Sequence, residues 1–179
     1  MIILQALYFM LPAYLANMAP VFATKIFGNK LAYPLDCNLK IKGKEILGKN
    51  KTWRGLIAGL IVALAIIYLQ AYLYNFNFFK NLSLFDYQAI DQISYGFLFG
   101  LGVILGDAVK SFFKRRANLK PGEKWFPWDQ LDFLGALILI LFVYLPPWYI
   151  FLLIVIISPL LPLVANWLGY KLKIKKVAW

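Results

Sequence analysis

The sequence predicts an all-α, polytopic membrane protein with five transmembrane helices, and three observations carry that expectation. Hydrophobic residues make up 62% of the 179-residue chain and aromatics 18%, a composition that belongs to membrane chains. Four apolar stretches approach the roughly 20 residues a helix needs to cross the hydrocarbon layer, and a fifth falls short. The basic residues collect in alternate connecting segments, as a fixed membrane orientation requires.

The first stretch covers residues 2–18. No basic n-region precedes Ile2, and Pro12, Asn17 and Pro20 stand where a small-residue cleavage site would lie, which predicts a retained span. The second covers residues 56–74, the third 94–109 and the fourth 131–145, the shortest, ended by Pro146 and Pro147. The fifth covers residues 148–170. With cytoplasmic loops at 21–54 and 110–130 they compose one membrane domain over residues 1–179, since no internal repeat or Gly/Ser linker divides the chain.

Orientation follows from charge. Residues 21–54 carry Lys25, Lys30, Lys40, Lys42, Lys44, Lys49, Lys51 and Arg54, whereas residues 75–93 carry Lys80 against Asp86 and Asp91. Residues 110–130 carry Lys110, Lys114, Arg115, Arg116, Lys120 and Lys124, and the tail carries Lys171, Lys173, Lys175 and Lys176. The positive-inside rule then puts the N-terminus outside and the C-terminus in the cytoplasm of a multi-pass cell-membrane protein. The net charge of +11 is thereby explained without nucleic acid, because the nineteen Lys and Arg residues lie between apolar runs and form no stripe on a soluble face.

Gly55 and Gly59, Gly96 and Gly100, and Gly102 and Gly106 recur at the spacing that lets helix backbones approach closely in lipid. Seating helices within the chain is the preferred reading, and a homodimer is also permitted. Tyr72, Tyr74, Tyr144, Trp148, Tyr149, Trp167 and Tyr170 cluster near the span ends, where amphipathic rings settle.

The chain has no histidine and a single cysteine, Cys37. A disulfide within the chain, a Cys/His zinc site and a Ser-His-Asp or Cys-His pair are therefore excluded. Chemistry must run on Asp, Glu, Lys, Ser or a hard metal ion. Its richest stretch is residues 106–132. If the third helix continues past the membrane, Asp107, Lys110, Ser111 and Lys114 fall three and four residues apart on one face. Asp129 and Asp132, three apart at the start of the fourth span, aim the same way on a helix.

Carboxylates beside a basic cluster suggest a phosphate substrate held through Mg²⁺, which takes oxygen ligands and binds one or two carboxylates plus substrate phosphates. Lys and Arg would neutralise the remaining charge. The same residues also read as helix-capping aspartates and lipid-anchoring lysines, and that alternative stays open at this point. Residues 43–55 nearly spell a Walker A loop, but Asn50 holds the Ser/Thr position and no strand precedes it. Its glycines and lysines can still cradle phosphate. The alternative to an enzyme is a membrane scaffold or small transporter with basic, anionic-lipid-binding loops. Transporters place polar groups near midspan, whereas the charges here stand at span ends.

Gly106-Asp107, then Ser111 after three intervening residues, Lys114-Arg115, Lys120-Pro121 and the Asp129/Asp132 pair resemble the signature of CTP-dependent phosphatidate cytidylyltransferases. Lys120-Pro121-Gly122 with residues 127–132, Ile46-Leu47-Gly48 with residues 51–55, and Pro12-Ala13-Tyr14 with Asn17 and Pro20 resemble the archaeal branch, the CDP-archaeol synthase family. The resemblance runs from Pro12 to Asp132. The wider superfamily's histidine before the aspartate pair is absent, and Gln130 replaces its arginine, which argues against the bacterial diacylglycerol enzyme. A CDP-alcohol phosphotransferase is disfavoured too, because its long aspartate motif is missing.

The resemblance implies transfer of CMP from CTP to an isoprenoid glycerol ether phosphate lipid, with Mg²⁺ as cofactor. It implies that Asp107, Asp129 and Asp132 hold Mg²⁺ and, with Lys114, form the catalytic set. Ser111, Arg115 and Lys120 would contact phosphate, and Lys51, Thr52, Arg54 and Asn17 would complete the substrate pocket.

Overall fold

The computed structural model describes residues 1–28, 30–120, 123, 125, 126, 128–130 and 132–171. Pro121, Gly122, Lys124, Pro127 and Leu131 of the motifs above, and the tail lysines beyond Lys171, lie outside the described residues. The architecture is mostly helical. Helix α1 spans Ile2–Phe27, α2 Trp53–Leu73, α3 Asn77–Leu82, α4 Gln92–Arg116, α5 Phe133–Ile140 and α6 Trp148–Lys171. Three of them, α1, α2 and α4, are long and apolar enough to cross a membrane.

Helix α1 runs nine residues beyond the span expected at 2–18, straight through Pro12 and Pro20. Proline is tolerated in membrane helices where neighbouring groups satisfy the freed carbonyls. Pro12 frees the Tyr8 carbonyl, and Gln70 Nε2 of α2 donates to it at 2.6 Å. Arg54, reaching across from α2, donates to the Gly28 and Lys30 carbonyls at 2.6 and 2.7 Å and to Thr24 Oγ1 at 2.9 Å. A guanidinium thus closes the C-terminal end of α1, where a cation also meets the helix dipole favourably.

Helix α2 starts because Thr52, in extended conformation, accepts from the Gly55 N–H at 3.2 Å. Helix α4 starts likewise at Asp91, which accepts from the N–H groups of Ile93 and Ser94, and it continues to Arg116 as the mixed polar face predicts. Among the described residues of the fourth expected span, 131–145, eight are α-helical, followed by turns that carry Tyr144 N–H to the Ile140 carbonyl.

The departures from an all-helical chain among the described residues lie between α1 and α2. Lys40–Ile41 (β1) and Lys44–Glu45 (β2) pair antiparallel, Ile41 opposite Lys44. Lys42 and Gly43 between them have φ of 51° and 78°, the left-handed pair of a type I′ hairpin turn. An isolated bridge joins Pro34 to Thr52, so the segment returns to the foot of α2.

The buried core gathers Phe9 and Met10 of α1, Ile67 of α2, Phe99 and Val103 of α4, Leu137 and Ile140 of α5, and Ile150 and Ile154 of α6. Two polar contacts cross it: Gln70 Nε2 donates to the Tyr8 carbonyl at 2.6 Å, and the Tyr14 and Ser158 hydroxyls meet at 2.5 Å. The expected glycine pairs seat helices within the chain. Gly59 faces Ala16 and Ile104, Gly96 faces Leu64, and Gly100 faces Leu60 and Ala63.

The tightest approach joins α4 to α5. A Cβ on Gly102 or Gly106 would overlap the main chain of residues 132–136, and one on Gly135 would overlap Gly102 and Gly106. Gly135→Val should therefore force α5 away from α4. We expect a loss on the order of 1–3 kcal/mol, typical of overpacking, read as a lowered midpoint of thermal unfolding in detergent.

Candidate active site

Three segments meet at one end of the bundle. Helix α4 brings Asp107, Lys110, Ser111 and Lys114; the 3₁₀ turn Trp128–Gln130 brings Asp129; and the residue just before α5 is Asp132. The foot of α2 supplies Lys51 and Thr52. The α4–α5 glycine contact fixes how these parts sit, because the Asp132 carbonyl lies directly against Gly106.

Lys110 stands at the centre. Its ammonium is 2.6 Å from Asp132 Oδ1, 3.2 Å from Asp107 Oδ1 and 3.8 Å from Asp129 Oδ1. It also donates to Asp132 Oδ2 at 2.8 Å, so the ammonium faces both oxygens of that buried carboxylate. Lys51 donates to Asp107 Oδ2. Lys114 donates to both oxygens of Asp129, at 2.8 and 3.1 Å, and to the Glu123 carbonyl. Three ammonium groups thus interleave with three carboxylates, and the cluster is close to neutral.

The capping alternative fails at both later aspartates. Asp132 occupies the N-cap position of α5 yet makes no side-chain cap hydrogen bond. Asp129 Oδ2 accepts instead from the Trp125 N–H at 2.7 Å, closing the loop ahead of it. Both carboxylates point toward lysines, so they are built for charge and not for helix ends.

Asn17, Asn50, Lys51, Thr52 and Asp107 line a cavity of about 60 Å³ between α1, α2 and α4. Four of the sequence-predicted residues are therefore brought together there. Ser111 and Lys114 are buried on α4, and Lys120 is exposed in the loop beyond it. Arg115 packs against the position of Gly48, with its Nε buried and unpartnered. Arg54 is the residue set apart: its hydrogen bonds go to the end of α1, as described above.

Sequence reasoning missed three contributors. Lys110 was placed on the polar face but assigned no role at the site, although its spacing of three from Asp107 was visible. Arg116 donates to the Ile41 and Glu45 carbonyls at 3.1 and 2.8 Å, and Lys44 donates back to the Arg116 carbonyl at 3.0 Å, which docks the hairpin on the end of α4. Asp36 accepts from the N–H groups of Leu47 at 2.8 Å, Gly48 at 3.2 Å and Asn38 at 3.1 Å. Burial works to raise its carboxyl, but these donors outweigh that effect and hold it below the ordinary carboxylate range. Asp36 is thus a charged knot inside the loop that delivers Lys51.

Among the described residues no group of three carboxylates closes on one metal position; Lys110 separates them. The donor set nevertheless suits Mg²⁺. It consists of hard carboxylate oxygens at one end of the bundle, and the ion needs only one or two carboxylates besides substrate phosphates.

The family model described as "CarS-like: CDP-archaeol synthase" matches residues 1–179. The CDP-archaeol synthase of Pyrococcus furiosus is 37% identical over 179 residues, covering 99% of this chain and 98% of its own. That of Methanocaldococcus jannaschii is 34% identical with the same two coverages. A solved structure described as an intramembrane enzyme for archaeal membrane lipid biosynthesis superimposes with a TM-score of 0.72 at 32% identity, covering 92% of this chain and 94% of that one. With its full length matched and its aspartates and lysines gathered at one end of a helical bundle, the chain belongs to the CDP-archaeol synthase family.

Proposed function

We propose that the protein transfers CMP from CTP to the phosphate of digeranylgeranylglyceryl phosphate, releasing pyrophosphate and forming CDP-archaeol. The observation that carries the mechanism is the convergence of Asp107, Asp129 and Asp132 on the Lys110 ammonium. A cation already sits where three carboxylates face one another, beside a cavity lined by Lys51 and Thr52.

The lipid's phosphate monoester has a second pKa near 6, so its attacking oxygen is ionised at neutral pH and needs no general base. That suits a chain without histidine. The oxygen attacks the α-phosphorus of CTP, and the bond to the β-phosphate breaks as pyrophosphate departs. This chain's part is to neutralise charge and align the groups. Lys51 and Thr52 hold phosphate oxygens at the foot of α2, with Asn17 across the cavity. Lys110 and Lys114 can turn from carboxylate to phosphate, since an ammonium rotates freely among its acceptors. Ser111, Arg115 and Lys120 extend the basic surface. Asp107, Asp129 and Asp132 would hold Mg²⁺, which supplies charge neutralisation on the triphosphate.

We place the chain as one five-pass domain in the cell membrane, N-terminus outside and site facing the cytoplasm. The basic 28–52 segment and the end of α4 touch through Arg116 and Lys44, as two loops on one side must. Gln5 donates to the Asn81 carbonyl and Tyr144 to the Leu84 carbonyl at the other end. Residues 132–144 therefore lead from the site to the far end, and α6, packed on α1, can lead back. The glycine pairs are used within the chain, so a homodimer would rest on other surfaces.

The test is pyrophosphate release by detergent-purified protein given CTP, Mg²⁺ and the ether lipid phosphate. Activity that requires the lipid and disappears with EDTA is expected. Inactivity of folded protein would overturn the reading, and undiminished turnover in EDTA would remove the metal from it.

A further inference from the structure

A second cavity flanks the carboxylate cluster, larger and far more apolar than the first. It has a volume of about 600 Å³, within the roughly 300–1,000 Å³ of ligand pockets. Leu105, Val109 and Phe113 form one wall at helical spacing along α4; Leu134 and Ile138 form the other on α5; and Trp128 stands at the mouth. Its lining is overwhelmingly apolar, and Lys110 is the charged side chain among it. Leu105, Val109, Phe113, Trp128 and Ile138 are all about half exposed, so the groove opens sideways from the bundle.

Position distinguishes this groove from ordinary lipid-facing surface. Lys110 belongs both to it and to the carboxylate cluster. Trp125, whose N–H binds Asp129, also lines it and stacks beside Trp128 with ring centroids 5.7 Å apart. The cavity with Lys51 and Thr52 lies on the other side of Asp107, toward α1 and α2. The site therefore has a mixed flank that carries Asn17, Lys51 and Thr52 and an apolar flank, with α4 between them. An in-line displacement at phosphorus brings nucleophile and leaving group to opposite sides of the reacting atom. One flank with an ammonium, a hydroxyl and an amide and another of apolar side chains supply that arrangement for a hydrophilic triphosphate and a lipid.

We propose that the α4–α5 groove holds an isoprenoid chain of the lipid phosphate and delivers its headgroup to Lys110, while CTP enters from the α1–α2 flank. This rests on the cytidylyltransfer reading above. The groove then sets chain selectivity, because each methylene placed in a fitted apolar slot adds to binding and an obstructed slot loses that contribution.

The experiment uses Val109→Trp and Ile138→Trp, which fill the groove from opposite walls at exposed positions where the fold has room. Ile61→Trp, on an exposed face of α2 away from both cavities, is the control. KM and kcat are measured with the full-length ether lipid phosphate and with an analogue bearing short prenyl chains. Both groove variants should raise KM for the full-length lipid at least about tenfold, with near-normal kcat/KM for the short analogue and unchanged KM for CTP. Equal losses with both lipids, or no change with either, would overturn the assignment; the latter would leave bulk bilayer lipid as the occupant. Activity of the unmodified protein on the short analogue keeps failure of the groove separate from failure of the reaction itself.

Discussion

Asp132→Asn is expected to lower turnover by about 10²- to 10³-fold, the usual cost of removing one preorganised electrostatic partner from a transition state. Asp132 is the carboxylate closest to Lys110, whose ammonium lies 2.6 Å from Oδ1 and 2.8 Å from Oδ2, and it is buried. The amide keeps shape and volume while removing the charge that a cation or ammonium would meet. Pyrophosphate release gives the rate, and circular dichroism with thermal melting in detergent verifies the fold. Asp129→Asn should behave similarly, with an added loosening of the loop, because Asp129 also accepts from Trp125 N–H and from Lys114. Near-normal turnover in both variants would sink the metal-holding role.

The second large effect is on stability. Arg54→Lys should destabilise the protein by on the order of 3 kcal/mol, since charge-assisted hydrogen bonds contribute more than neutral ones and three are at stake. A lysine ammonium cannot reproduce a planar fork spread over two carbonyls and a hydroxyl. The α1 terminus would fray, and the midpoint of thermal unfolding would fall, with KM for CTP unchanged below that midpoint. An unshifted midpoint with a raised KM for CTP would return Arg54 to the substrate pocket, where the family resemblance puts it.

Arg54 shows what a sequence can and cannot disclose. The resemblance placed it in a motif with Lys51 and Thr52, and those two do face Asp107 in a shared cavity. A helix turn separates side chains by about 100° per residue, so motif neighbours need not share a destination. Whether Arg54 faces substrate or α1 depends on where α1 ends. The sequence reading ends the first span at Met18, whereas α1 continues through Pro20 to Phe27, since a packed membrane bundle tolerates proline inside a helix.

The long apolar helices were legible because twenty apolar residues have few other fates. Asp107, Asp129 and Asp132 were legible as charges at apolar boundaries. Lys110 was harder, since a basic residue in a basic loop carries no distinguishing mark until its partners are located. The hairpin was signalled only by Lys42-Gly43, a weak form of the two-residue turn. Asp36 looked like one more loop carboxylate, and its role depends on backbone donors eleven and twelve residues away.

The seam of Gly102, Gly106 and Gly135 carries a consequence for how this protein can vary by descent. Its contacts are main chain against main chain, so no side chain there can be trimmed or exchanged to offset a change elsewhere. Every missense mutation of a glycine codon enlarges the residue, and at this seam every enlargement moves Asp132 relative to Asp107. Neutral drift can wander over the lipid-facing positions of α4, but along this line it has nowhere to go, and lineages that carry the active site should carry the glycines with it.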